Sequence, residues 1–572
     1  MRRWLRLLLV LLAIALVASY FLRARGPRIA QGSVLVIDLS GEYVESAQPP
    51  LLARLTGSSR RPFASVLSTL ATAERDSRLS AIVLRVRDLQ IGWAKAQELR
   101  DAIASASSHG RRTIAWLEIA SFGANLEYYV ASAAQEVYAA PATRAPVVGL
   151  AAEYLFFGGL LERLGVEVEV ERIGRYKSAV ETIAGRSMSD SMREVANSLL
   201  DSVDSQFVSG IAQSRRLGEP AVREAIAAAP VDPAQMQKWG LIDGSLQWDE
   251  LMAKQGGAKE IEGEDYAAVD PAEVGFSPVA RFALIYGSGP VVLGKGSLSP
   301  SGSQVIASES ISQALKDAAD DASISAIVLR IDSPGGSALA SDVIWRAATQ
   351  ARAKGKPLIA SFSDVAASGG YYVAAGADSI VASPATITGS IGVFALRPVL
   401  EGVFQKLDIG FDSIVKGPHA ELQLSTRPLS PSSRERMKAE VASIYDLFVE
   451  RVDEGRSLDR AQVDAVGQGR VWTGAQAREV GLVDELGGLR QAVLVGKKRL
   501  SIAADKDVAL VVFPAPRSLA QQIADALTGK EAESFLPAPA LLAGVARRAE
   551  PWLEALESGV PMAALPFALE IR

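Results

Sequence analysis

The sequence predicts an α/β protein: two tandem homologous domains behind an N-terminal transmembrane helix. Three observations carry this prediction. They are an internal repeat, an alternation of strand-like and helix-like segments inside each copy, and an uncharged apolar run near the start. The repeat is the strongest of the three. Ser80-Ala81-Ile82-Val83-Leu84-Arg85 recurs unchanged as Ser325-Ala326-Ile327-Val328-Leu329-Arg330, 245 residues later. At the same offset, "HGRRTIA" from His109 matches "KGKPLIA" from Lys354. "YYVASAAQEVYAAPAT" from Tyr128 matches "YYVAAGADSIVASPAT" from Tyr371 at offset 243, and "GLIDG" from Gly240 matches "GLVDE" from Gly481 at 241. The slow drift means small insertions or deletions within one duplicated unit. The copies span about 29–265 and 275–500.

Within each copy, short β-branched runs read as buried strands: Val34–Ile37, Ala81–Arg85, Val166–Val170, Ala283–Tyr286 and Ala326–Ile331. Amphipathic stretches between them read as helices, for example Ala94–Ala104, Ser191–Ser214 and Ser433–Val452. Such alternation implies a mostly parallel sheet covered by helices. Gly256–Pro278, charged and then Gly/Pro-containing, reads as a linker. Residues 501–572 read as a strand within "SIAADKDVALVVFPAP", followed by a helical tail with Ala540–Leu556 roughly amphipathic and Pro551 kinking or breaking it.

Residues 1–28 form the anchor segment. Leu7–Leu22 is a run of 16 residues without a charge. As a helix it spans roughly 24 Å, short against a bilayer core of about 30 Å. Counting from Trp4 gives 19 residues, provided Arg6 snorkels to the headgroups. An A-x-A cleavage motif, Ala13-Ile14-Ala15, falls inside the run rather than after it, which favours an uncleaved anchor over a signal peptide. Arginines flank both sides equally (Arg2, Arg3 and Arg6 against Arg23, Arg25 and Arg28), so charge alone leaves the orientation open.

Composition narrows the chemistry. The chain of 572 residues has 2 histidines and no cysteine. That excludes a thiol nucleophile, a disulfide and a Cys-ligated metal site. His109 and His419 are too far apart in sequence to form an HExxH helix. A net charge of −5 offers no polyanion-binding signal, so nucleic acid is not an expected partner.

Divergence between the copies marks what one of them kept alone. The second continues its hexapeptide with "IDSPGGSA", placing Gly335-Gly336 in a turn after a strand; the first has Gln90-Ile91-Gly92 there. Such a turn can present backbone N–H groups to an oxyanion, or it is only a tight turn. The second copy also has Ser368-Gly369-Gly370 at the start of a helical "YYVAAGA", where the first has Asn125-Leu126-Glu127. Ser368 is placed as a nucleophile or as a plain helix cap. Conversely, Lys177 in "RIGRYKSAVE" belongs to the first copy, and Ala420 stands in its register in the second. A surface lysine is the ordinary alternative.

A serine hydroxyl needs a base, and a neutral lysine can serve where no histidine is available. Lowering a lysine from ~10.4 to about 7.5 takes roughly 4 kcal/mol, which burial between two domains can supply. "SPGG", "AASGGYY" and "TGSIGV" (Thr388–Val393), with "RYKSAVE" upstream, resemble the long, internally duplicated form of the signal peptide peptidase A family. The resemblance runs from the anchor to about residue 500. It implies a Ser-Lys endopeptidase with two Clp protease/crotonase-like domains. By motif match Ser368 is the nucleophile, Lys177 the general base and Ser390 the residue that orients the lysine. Gly335, Gly336 and Gly369 match the oxyanion region. In the first copy, Pro146-Val147-Val148-Gly149 replaces "GSIG".

The resemblance further implies no cofactor and no metal, and a membrane-anchored homotetramer. Its catalytic domains would lie on the periplasmic side of a bacterial inner membrane, with lipid contacted through the N-terminal helix. Substrates would be cleaved signal peptides and other apolar peptides. A related protease acting on specific membrane proteins, a crotonase-type acyl-CoA enzyme and a non-catalytic scaffold are the alternatives. Both histidines read as structural, with His419 the nearer in register to Lys177.

Overall fold

The fold is taken from a computed structural model, which describes residues 28–45, 61–121, 123–296, 304–515 and 562–564. The apolar run 7–22 and the stretch 540–556 lie outside these. Among the described residues no helix is long and apolar enough to cross a membrane.

The first copy supplies β1 (Ser33–Val44), β2 (Arg61–Pro62), β3 (Leu79–Gln90), β4 (Arg112–Leu117), β5 (Glu136–Ala139), β6 (Glu167–Ile173), β7 (Gly244–Ser245) and β8 (Glu260–Glu262). All but β6 form one parallel sheet, ordered β2-β1-β3-β4-β5-β7, with β8 also paired to β1. The second copy supplies β9 (Pro278–Ser288), β10 (Val291–Val292), β11 (Ile306–Ala307), β12 (Ala326–Ser333), β13 (Gly335–Ser337), β14 (Leu358–Ala367), β15 (Ser379–Ala382), β16 (Ile387–Gly389), β17 (Val393–Val399), β18 (Val471–Thr473), β19 (Glu485–Leu486) and β20 (Asp507–Phe513). Here the core order is β9-β12-β14-β15-β19, which repeats β1-β3-β4-β5-β7 strand for strand. The duplication is thus visible as topology.

The shared hexapeptide becomes the interior strands β3 and β12. Both are buried on both faces, which is why they read as continuous apolar runs rather than alternating ones. Ile82 and Leu84 face one helical layer while Ala81 and Val83 face the other. Ile327 and Leu329, and Ala326 and Val328, do the same in the second copy. The expected helices form as Trp93–Ser108, Asp190–Arg215 and Pro431–Gly455. Ser189 and Ser430 cap the latter two by accepting from Met192 N and Ser433 N.

Two expectations change at the copy boundaries. Gly256–Pro278 is more than a linker: β8 lies within it and pairs with β1, because Ile261 is an apolar side chain that the first sheet buries. Residue 500 is likewise no boundary of the second sheet. β20 pairs in parallel with β9, as β8 does with β1.

A third, mixed sheet joins the copies. Its order is β11-β10-β13-β21-β17-β6, where β21 is Met562–Ala564. β6 from the first copy runs antiparallel to β17 from the second, from Glu167 opposite Val399 to Ile173 opposite Val393. This ladder is what brings the two divergent motifs together.

Candidate active site

Ile173 and Val393 close the β6–β17 ladder, where β6 ends and β17 begins. Lys177 lies four residues beyond Ile173 and Ser390 three residues before Val393. The register therefore delivers both to one point. Lys177 is held there by its own loop: Tyr176 N–H donates to Gln468 O at 2.8 Å, and Lys177 N–H to Gly174 O at 3.1 Å. Its aliphatic stem passes Gly392, where a methyl group would lie 3.1 Å from Cδ.

Ser368 sits between β14 and the helix Gly369–Ala375, at φ +55° and ψ −115°. This conformation costs a non-glycine residue about 1–3 kcal/mol. Its backbone is fixed on both sides. Ser368 N–H donates to Gly389 O and Ser368 O accepts from Tyr372 N–H, each at 2.8 Å. Ser390 has the same uncommon sign of φ, +52°, and its N–H donates to Arg470 O at 2.7 Å. Both serines of the site are thus held in strained backbone by neighbouring ladders. The Ser368 hydroxyl makes no capping bond to its helix.

Lys177 Nζ lies 2.7 Å from Ser368 Oγ, 2.9 Å from Ser390 Oγ and 3.0 Å from Ser390 O. All three residues are fully buried. Burial pushes the Lys177 ammonium well below the ordinary lysine range. The Phe394 ring, 6.0 Å from Nζ, makes part of the apolar wall. The arrangement can hold a lysine in its neutral form beside a hydroxyl.

The glycines converge on the same corner. Gly335 and Gly336 have φ +101° and +155°, which other residues rarely adopt. A methyl group on Gly335 would collide with the carbonyl of Ala563 and lie 2.8 Å from the nitrogen of Gly369. One on Gly369 would lie 3.0 Å from the nitrogen of Gly336. Gly335 differs from the other two, since its own N–H donates to Ser333 Oγ at 3.1 Å. It shapes the turn, and the Gly336 and Gly369 nitrogens face the corner.

In the first copy the equivalent corner is closed. Asn125 stands in register with Ser368; its Nδ2 donates to Gly149 O and its Oδ1 accepts from Val148 N–H. The histidines stand elsewhere: His109 Nδ1 is 2.9 Å from Ser105 O and 3.0 Å from Glu74, and His419 Nδ1 is 3.2 Å from Ser433 Oγ.

Sequence reasoning missed the buried charges behind the site. Arg330 on β12 pairs with Glu45 and Glu98 at 2.9 and 2.5 Å, and Lys95 pairs with Asp332 and Asp364 at 2.6 and 2.7 Å. Every one of these pairs joins one copy to the other. Burial would raise the Glu45 carboxyl, but Arg330 and Lys95 outweigh it and hold it at about 2. The available signal was a charge inside apolar strand text: Asp332 in "VLRIDS" and Asp364 in "IASFSDVAA".

The model of peptidase family S49 matches twice, over residues 108–262 and 350–503. The chain belongs to that family, duplicated, and is a serine protease. It is 32% identical over 513 residues to the chloroplastic serine protease SPPA of Arabidopsis thaliana, covering 88% of this chain and 74% of the relative. It is 29% identical over 559 residues to Protease 4 of Salmonella typhi, covering 91% and 87%. Among solved structures, it is similar to a mutant of the 1510-N membrane-bound stomatin-specific protease in complex with a substrate peptide. That match has a TM-score of 0.27 at 16% identity, over 44% of this chain and 98% of the other.

Proposed function

We propose that this protein is a membrane-anchored endopeptidase that degrades cleaved signal peptides through a Ser-Lys dyad. The observation that supports the dyad most directly is the 2.7 Å separation of Lys177 Nζ and Ser368 Oγ in a fully buried setting. A neutral amine has two N–H donors and one lone pair. Ser390 offers two acceptors, its carbonyl and its hydroxyl, at 3.0 and 2.9 Å. With both N–H groups so engaged, the lone pair is left for the Ser368 hydroxyl.

Ser368 Oγ then attacks the scissile carbonyl as Lys177 takes its proton. The N–H groups of Gly336 and Gly369 receive the oxyanion, with Gly335 holding the turn. Lys177 returns the proton to the leaving amine as the peptide bond breaks. Water, deprotonated by the same amine, hydrolyses the ester and restores Ser368.

The membrane anchor at 7–22, placement of the catalytic domains on the periplasmic side of a bacterial inner membrane, and a homotetramer complete the proposal. The anchor draws on the apolar N-terminal run, and the placement and assembly on the motif resemblance to the signal peptide peptidase A family.

The test is peptidase turnover of apolar peptides, with CoA-thioester turnover as the counter-assay. Ser368→Ala and Lys177→Ala should each abolish peptidase activity with the fold intact, and a fluorophosphonate should label the wild-type chain at Ser368. An active Lys177→Ala chain would remove lysine from the mechanism. Thioester turnover without peptide cleavage would replace the whole reading.

A further inference from the structure

We propose that β21, the chain's own C-terminal strand, is an intramolecular occupant of the peptide-binding cleft, and that peptide substrates must displace it. The inference rests on the protease reading above.

Its basis is where β21 lies. β21 fills the position between β13 and β17 in the mixed sheet. β13 begins at the Gly335-Gly336 turn, and β17 begins three residues after Ser390. Without β21, the two would face each other across a gap one strand wide, each with an open edge. Open edges of that kind accept an extended peptide through main-chain hydrogen bonds, whatever its sequence.

The register puts this occupant on the reacting corner. Gly335, Gly336 and Ser337 stand antiparallel to Ala564, Ala563 and Met562, and Phe394 stands opposite Met562. The Ala563 carbonyl oxygen is the nearest atom to a methyl group placed on Gly335, and it lies 3.0 Å from one placed on Gly369, where the Ser341 hydroxyl is nearer at 2.7 Å; the Gly369 and Gly336 nitrogens lie beside these same two points. That is where the carbonyl of a bound substrate would have to lie. One residue before it, the Met562 side chain is 4% exposed and packs among Ala179, Val180, Ile183, Phe394 and Leu396. These residues follow Lys177 and Ser390 in the chain, so this apolar pocket belongs to the cleft. β21 thus fills the backbone seat, the carbonyl corner and one side-chain pocket at once. Because it is tethered, its competition with substrate does not weaken on dilution.

The test is made in the full chain. Met562→Glu places a charge in the apolar pocket, and Ala563→Pro removes a ladder N–H. Each should lower KM for a short fluorogenic apolar peptide by about fivefold or more, with kcat little changed, as expected when an occupant seated in most molecules is released. Binding is read separately in a Ser368→Ala background, with a labelled peptide spanning residues 558–566 followed by fluorescence anisotropy. Adding Met562→Glu to that background should tighten binding by a similar factor. An unchanged KM together with unchanged anisotropy would overturn the proposal. Tightened anisotropy with no peptide cleavage by any chain would support strand occupancy while sinking the protease reading beneath it.

Discussion

Ser390 holds the Lys177 amine from two sides, with its hydroxyl 2.9 Å and its carbonyl 3.0 Å from Nζ. Ser390→Ala keeps the carbonyl and removes the hydroxyl, so the amine can swing away from Ser368. We expect kcat to fall by ~10²-fold, the scale set by small misplacements of a reacting group, with KM within about twofold. Loss of an acceptor weakens the ammonium more than the neutral amine, because charge-assisted bonds are the stronger. The acid limb of the pH–rate profile should therefore move to lower pH. A limb that moves upward would contradict this arrangement.

The acid limb itself follows from burial. Desolvation depresses the Lys177 ammonium well below the ordinary lysine value. Activity should rise as pH rises through the depressed value and level off once the amine is neutral. A kcat/KM profile measured from acid to alkaline pH checks this. If activity is still climbing as lysine's ordinary value of 10.5 is approached, Lys177 is not the buried neutral base.

Much of the fold was legible because it is written twice. An identical hexapeptide in two places, with ordered matches around it, could be read as two copies of one sheet, and β3 and β12 are those strands. The candidate site was legible for a related reason: Ser368 and Lys177 stand out where the copies disagree. What could not be read was long-range pairing. Nothing local to "VEVERI" says that β6 leaves its own sheet for β17, because strand partners are chosen by tertiary context. β21 is hidden for the same cause; "MAA" has no periodicity to betray a strand. The role of Gly335 also depends on tertiary detail, since only the position of the Ser333 hydroxyl shows that its N–H is occupied.

The Lys95 cluster makes a prediction about how the copies are held together. Lys95 Nζ reaches Asp332 and Asp364 at 2.6 and 2.7 Å and Glu45 at 3.3 Å, and is itself 3% exposed. Lys95→Met leaves Asp332 and Asp364 facing one another without their cation, while Glu45 keeps Arg330 at 2.9 Å. Breaking a buried pair from one side costs about 3–5 kcal/mol, and that loss should appear in denaturant unfolding near neutral pH. Burial already raises the Asp332 carboxyl against the pull of Lys95, so in the variant it should titrate further above its unfolded value, and the variant's folded state then binds more protons than its unfolded state. Its stability should therefore fall as pH rises, and the gap from wild type should widen from about pH 4 to pH 7. A gap independent of pH would mean that the carboxylates find other partners.

Lys177 carries a stability cost that should be measurable apart from catalysis. Its folded value is depressed by burial, whereas the unfolded chain titrates at the ordinary 10.5. Between the two, the unfolded state binds a proton that the folded state does not. Stability then rises with pH, by up to about 1.4 kcal/mol per pH unit for one proton. The full contribution is present above 10.5 and is lost as pH falls to the depressed value. Lys177→Met removes the titration and keeps similar bulk. Relative to that variant, the wild-type chain should gain stability steadily from mildly alkaline pH toward lysine's ordinary value, as read by thermal or denaturant unfolding of the two chains in parallel. Parallel curves across that range would mean that Lys177 is charged in the folded protein, and the lone pair assigned to Ser368 would not exist.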